Sequence, residues 1–129
     1  MYPSEFKYTK EHEWVRLDGD TATVGITDHA QDQLGDVVFV ELPRTGVRTQ
    51  AAQSFGTVES VKAVSDVYAP LTGQITAINE TLIDAPEQLN TSPHEKGWLI
   101  KIKVEDKAEL DDLMSAEQYQ AYIGAEKES

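Results

Sequence analysis

Apolar and polar positions alternate most cleanly over Trp98–Val104, where Trp98, Ile100, Ile102 and Val104 face one way and Lys101 and Lys103 the other. A period of two predicts a half-buried strand. Trp14–Leu17 and Thr21–Ile26 are further β-prone runs around Asp18-Gly19, a hairpin signal, with Asp20 lengthening the loop slightly. Val37–Leu42 reads as a strand stopped by Pro43, and Gly73–Ile78 as another. Phe55–Val61 and Val64–Tyr68 are two β-prone runs around Lys62-Ala63, the second ended by Ala69-Pro70. Arg44–Ser54 is expected as a loop or an irregular edge strand. Asn79–Glu95, with Pro86 and Pro93, is expected as a loop holding a helical turn or two.

Two segments change period. Thr27–Gly35 has a polar cap, a helix-tolerant run and a terminal glycine, which predict a short helix. Near the C-terminus Leu110, Leu113 and Met114, then Tyr119, Tyr122 and Ile123, recur at helical spacing. Ser115 with Gln118 resembles a capping box, Gly124 a helix stop and Glu126–Ser129 a frayed tail. These stripes read as core packing rather than a cofactor box. Many short strands with few helices predict one mainly β domain over residues 1–129, a sandwich or partly open barrel. A C-terminal helical segment, about 106–124, is expected to cover one side.

The 129 residues fit one compact domain. No apolar run approaches the ~20 residues of a membrane-spanning helix. Met1–Lys10 lacks the apolar core of a signal peptide and the arginine bias of a transit peptide, so a cytoplasmic location is expected. A net charge of −12 repels phosphate backbones and argues against nucleic acid as a partner. It fits steering toward basic partners and a merely solvated surface equally well. There is no cysteine, which excludes disulfides, thiolate metal sites and a cysteine nucleophile. Any thiol chemistry therefore needs sulfur from a prosthetic group.

Catalytic motifs are absent: no glycine-rich phosphate loop, no GxSxG elbow and no HExxH helix. His12, His29 and His94 lie far apart with no shared ligand spacing, so no metal site is expected. The segment that stands out is the hairpin 55–70, with Lys62 near its turn. Ser60, Ala63 and Ser65 are small and leave the amine unobstructed. Flanking strands fix the lysine's base while its tip stays free, the geometry of a swinging arm. From the residues alone an ordinary surface lysine is the commoner explanation. Trp14 and Trp98 read as core or cleft wall, and Asp66 as a residue that tunes the turn or is read by a ligase.

Several motifs in order carry a resemblance that covers nearly the whole chain. Glu59-Ser60-Val61-Lys62-Ala63, then Ser65-Asp66 and Ala69-Pro70, is similar to the lipoylation hairpin of glycine cleavage H proteins. His12-Glu13-Trp14-Val15 resembles their N-terminal motif. Gly25–Gln31, Leu34-Gly35 and Val38–Pro43 match the next block, and Gly97–Lys103 the last strand. The chain departs from the pattern at Ala51-Ala52, where many members have a glycine, and at His94, where a tyrosine is common.

The resemblance implies a barrel-sandwich hybrid of the lipoyl/biotinyl-carrier kind. It implies lipoate linked by an amide to Lys62, an arm reaching on the order of 14 Å from the backbone. The implied protein is a non-catalytic shuttle: chemistry belongs to the cofactor, presentation to the protein. Its implied partners are a pyridoxal-phosphate glycine decarboxylase, which loads aminomethyl, and a tetrahydrofolate-dependent aminomethyltransferase, which takes the methylene. A flavin-dependent dihydrolipoyl dehydrogenase, with NAD as acceptor, then reoxidises the dithiol. A lipoate ligase or lipoyl/octanoyl transferase would attach the cofactor. The resemblance also assigns Glu13 to the ammonium of the loaded arm, against a plain exposed strand carboxylate. A monomer is expected.

Other readings share the modified lysine. A biotin carrier brackets it with methionines, where this chain has Val61 and Ala63. A lipoyl domain of a 2-oxoacid dehydrogenase lacks the His-Glu-Trp block and the C-terminal helices. An H-like protein for lipoate relay or lipoate-bound sulfur transfer differs little in sequence. An unmodified binding module would use only the acidic surface.

Overall fold

The computed structural model describes residues 2–128. β1 (Lys7–Tyr8) pairs with β2 (Glu13–Asp18), and β2 turns back into β3 (Thr21–Ile26). Asp18 pairs with Thr21, so Asp20 is the second half of a two-residue loop rather than an extension of a longer one. Gly19 opens that loop at φ 63°, a region glycine enters without steric cost. α1 (Asp28–Leu34) has both expected caps: the Thr27 hydroxyl accepts from the Ala30 N–H, and Gly35 closes the helix at φ 81°.

β4 (Val37–Glu41), β5 (Arg48–Thr49), β6 (Ser54–Ser60), β7 (Val64–Tyr68) and β8 (Gly73–Ile78) follow. The loop-rich stretch holds two single-turn helices, α2 (Thr81–Asp84) and α3 (Gln88–Thr91). β9 (Ile100–Val104) leads through a 3-10 turn (Lys107–Asp112) to α4 (Ala116–Glu128). β9 starts two residues later than the alternation predicts. Leu99 and Ile100 are both fully buried, which breaks the period of two and leaves Trp98 half-buried outside the strand. The capping box of α4 is present, Ser115 N–H to Gln118 at 2.9 Å and Gln118 N–H to the Ser115 hydroxyl at 3.2 Å. Gly124 does not stop the helix. The expected frayed tail is helical as far as Glu128, and Ser129 lies outside the described residues.

The strands form two antiparallel sheets, one in the order β1-β2-β3-β9-β8-β5 and one in the order β4-β6-β7. Val24, Ile75, Ile100 and Ile102 of the first sheet pack against Val40, Val58 and Val67 of the second, and Leu82, Leu89 and Leu99 close the ends. That is the mainly β sandwich expected. β3 is buried from Ala22 to Ile26 because it has core on both faces. On its outer side Phe6, Tyr8 and Trp14 meet Ala116, Tyr119 and Ile123 of α4. The Tyr8 and Tyr119 rings stack with centroids 4.9 Å apart. The Trp14 indole lies over Gly25, its cross-strand partner, and a Cβ there would come within 2.6 Å of the ring.

The departure at Ala51-Ala52 has a structural consequence. The Gln53 N–H donates to the Gln50 carbonyl at 3.0 Å, closing a turn with Ala52 third at φ 71°. That position of such a turn favours glycine, and a Cβ there costs roughly 1 kcal/mol or more. Ala52→Gly is expected to raise stability by about 0.5 kcal/mol, once glycine's greater freedom in the unfolded chain is set against the relieved strain. Urea unfolding midpoints of the two proteins check this.

Candidate functional site

Lys62 sits at the tip of the β6–β7 hairpin and is exposed. The last strand pair is Glu59 with Val64, and the Ser60 N–H donates to the Ala63 carbonyl at 2.8 Å. The Ser60 side chain is buried and accepts from the N–H groups of Lys62 (3.3 Å) and Ala63 (3.1 Å). One hydroxyl thus satisfies two turn amides that would otherwise have only water. The Val61 N–H donates to the Asp36 carbonyl at 3.0 Å, tying the turn to the end of α1. The turn is therefore held at its base, and the Lys62 side chain is left outside it.

The Lys62 chain leans toward Gly35: a Cβ on that glycine would lie 3.4 Å from the lysine Cε. A cleft of about 180 Å³ lies between α1 and β7. Ala30, Gln33 and Leu34 form one wall, and Ser65, Asp66 and Val67 the other. Ile26 and Val58 contribute apolar surface from the two sheets, and Glu11, His12 and Glu13 also line the cleft. Both walls connect the lysine to this acidic segment. At the far end of β7 the Tyr68 N–H donates to Glu13 Oε2 at 3.2 Å. At the far end of α1 the Thr27 N–H donates to the His12 carbonyl at 3.0 Å. Four steps of strand from Val64 to Tyr68 span roughly 13 Å. Eight of helix from Thr27 to Gly35 span roughly 12 Å. A larger cleft of about 470 Å³ lies near the start of α1, between Phe6, Arg16 and His94.

Glu13 is only 3% exposed, so it is not the plain exposed strand carboxylate of the competing expectation. The Thr9 hydroxyl donates to its Oε1 at 2.6 Å, and that same hydroxyl accepts from the Glu13 N–H at 3.0 Å. Burial pushes the carboxyl up to about 7, against the opposing pull of the Thr9 and Tyr68 hydrogen bonds. A second depression, lined by Thr9, Ala52, Tyr68 and Leu113 among others, reaches Glu13 from the other side.

A family model described as "Glycine cleavage H-protein" matches residues 6–126. The chain belongs to the glycine cleavage H-protein family. The glycine cleavage system H protein of Staphylococcus carnosus is 57% identical over 122 residues, 95% of this chain and 97% of that one. Its counterpart in Geobacillus kaustophilus is 54% identical over 121 residues, 94% of this chain and 95% of that one. The crystal structure of the Mycobacterium marinum H protein superposes with a TM-score of 0.84 at 38% identity, covering 95% and 98% of the two chains. The H-protein family carries lipoate covalently on a lysine. It works with glycine decarboxylase, aminomethyltransferase and dihydrolipoyl dehydrogenase.

Several residues of this H-protein site differ from expectation. His12 and His29 are not far apart in space; their ring centroids are 4.7 Å from each other. Among the described residues no group of three or more His, Cys, Asp or Glu is arranged to hold a metal ion. Asp66 pairs with Thr57 within the strands and faces the cleft, so it does not shape the turn. Ser60 does that, and more than by being small. Trp14 is fully buried core. The α1 wall and Thr9 carried no functional signal in the sequence, because only the packing of α1 against β7 creates the cleft.

Glu13 makes stability depend on pH. In the unfolded chain its carboxyl ionises near the ordinary 4.5, in the folded protein near about 7. Between those values the native state keeps a proton that the unfolded state has lost. Stability therefore falls as pH rises through that window, by on the order of 3 kcal/mol in total from this group. Glu13→Gln is expected to remove this contribution, so the variant gains on the parent from pH 4.5 to 7 and the gap is constant above. Urea unfolding of both proteins across that range measures the difference.

Proposed function

We propose that Lys62 is the lipoate attachment point and that Glu13 receives the ammonium of the cargo when the arm is stowed. One observation carries the reading: a cleft between α1 and β7, the strand that follows the Lys62 turn, reaches the buried Glu13 carboxyl. The flanking stretches of α1 and β7, roughly 12–13 Å long, are on the scale of an arm of about 14 Å. The residues fit the group. The lysine is exposed at a turn pinned by Ser60, the walls carry apolar surface from Ile26, Leu34, Val58 and Val67, and the polar group lies at the far end.

Lipoate, once linked, supplies a dithiolane whose sulfurs take up the one-carbon unit and cycle between disulfide and dithiol. The chain's own residues do the rest. Acylation removes the Lys62 charge, and Gly35 leaves room for the root of the arm. The cleft walls limit water around a cargo prone to hydrolysis. Glu13, in a site of low polarity, makes a charge-assisted hydrogen bond stronger than it would in water. Thr9 and the Tyr68 amide hold its oxygens in place. In this reading the protein is a single-domain, monomeric carrier without catalysis of its own, acting in the cytoplasm.

Two measurements test the assignments. Intact-mass and peptide mapping of protein from cells supplied with lipoate should place the lipoyl increment on Lys62, and Lys62→Arg should abolish it. Glu13→Ala should be lipoylated normally and lose the aminomethyl group roughly tenfold faster, as expected for a lost hydrogen bond to a charged group. A lipoyl increment retained in Lys62→Arg, or an unchanged decay in Glu13→Ala, would refute the corresponding role.

A further inference from the structure

The cleft described above is bordered by two segments that do not belong to one sheet: the Glu11–Glu13 segment and α1. Both are tied to the same buried atom. The Tyr119 hydroxyl, on α4, lies 2.8 Å from His12 Nδ1 and 2.7 Å from the Thr27 hydroxyl. Thr27 is the N-cap of α1 and accepts from the Ala30 N–H at 3.1 Å. His12 sits between the two cleft glutamates with φ 71°, a backbone conformation that costs a non-glycine residue on the order of 1–3 kcal/mol and persists only when its surroundings enforce it. Its carbonyl accepts from the Thr27 N–H. The Ala30 N–H can only donate; with Thr27 donating on to Tyr119 and Tyr119 to His12 Nδ1, each hydroxyl donates once and accepts once along the chain.

We infer that Tyr119 is a positioning residue for the arm cleft: its hydroxyl, carried by a helix outside the cleft, sets the spacing between the Glu13 segment and α1. This rests on the reading of that cleft as the berth of the arm. The Tyr119 ring itself is fully buried and stacked on Tyr8. The ring therefore serves packing, and the hydroxyl is the part that reaches the cleft borders. Removing the hydroxyl separates the two roles.

Tyr119→Phe keeps the stack and deletes both hydrogen bonds. In the unlipoylated variant, the ring-nitrogen NMR signals of His12 should shift and amide exchange at Ala30 should quicken. In the loaded variant, the aminomethyl group should be lost roughly three- to tenfold faster, the range expected for one or two hydrogen bonds. Lipoylation by a ligase should proceed at the parent rate. Thr27→Val should give the same acceleration from the other end of the tie. The double variant should decay no faster than Thr27→Val alone, since both changes break one chain. Additive effects in the double variant, or unchanged His12 signals in Tyr119→Phe, would overturn the inference. So would an unchanged decay in Tyr119→Phe where Glu13→Ala accelerates it. An unchanged decay in Glu13→Ala would instead remove the berth itself.

Discussion

A single serine hydroxyl closing the β6–β7 turn is the constraint on which the rest depends. Ser60 is buried at the base of the turn and accepts from two of its amides. Without that anchor, the segment 61–63 would have three exposed residues and no side chain holding its shape. With it, the backbone beneath Lys62 is defined while the side chain is unconstrained. A carrier needs both properties in adjacent atoms: conformational entropy kept in the arm and removed from its root. The Asp36 carbonyl adds a second point of attachment, from a different part of the chain.

The far end of the cleft is governed by desolvation. Glu13 is removed from water at the start of β2, where Trp14 and Val15 beside it are buried in two separate clusters. Its carboxylate is poorly solvated and answered by two hydrogen bonds, neither of which brings a positive charge. Such a group favours either a proton or a cation. In the proposed reading, a protonated carboxyl suits the cleft without cargo, and an ammonium suits it when the arm is stowed. The same burial that raises its proton affinity makes it selective for a positively charged visitor.

Much of this was legible in the sequence, and the reasons are local. Hairpin 55–70 is visible from two β-prone runs around a short polar turn, α1 from its Thr27 and Gly35 caps, α4 from the Ser115–Gln118 box. The misses are tertiary. Alternation extends the strand to Trp98 because it says nothing about which neighbours bury Leu99. Gly124 resembles a stop, but it is only a weak helix former and α4 continues past it. The proximity of His12 to His29, and the hydroxyl of Tyr119 between His12 and Thr27, join residues up to 107 positions apart. No pattern of spacing along the chain encodes such contacts. Glu13 was identified by resemblance alone; its burial has no signature in the alternation of β2, where Glu13, Trp14 and Val15 are all inside.

Two parts of the cleft lining, β7 and Glu13, come from different layers of the sandwich. β7 belongs to the three-stranded sheet, and Glu13 to β2 of the six-stranded one. Their separation follows the hydrophobic layer between the sheets, which holds Ile26, Val58 and Val67, and is bridged at one end by the Tyr68 N–H to Glu13 hydrogen bond. Core packing in this protein acts as a gauge. If Lys62 and Glu13 hold the two ends of the arm as proposed, a methyl group gained or lost there alters their distance before it alters the fold, and selection on the interior is also selection on fit to the arm.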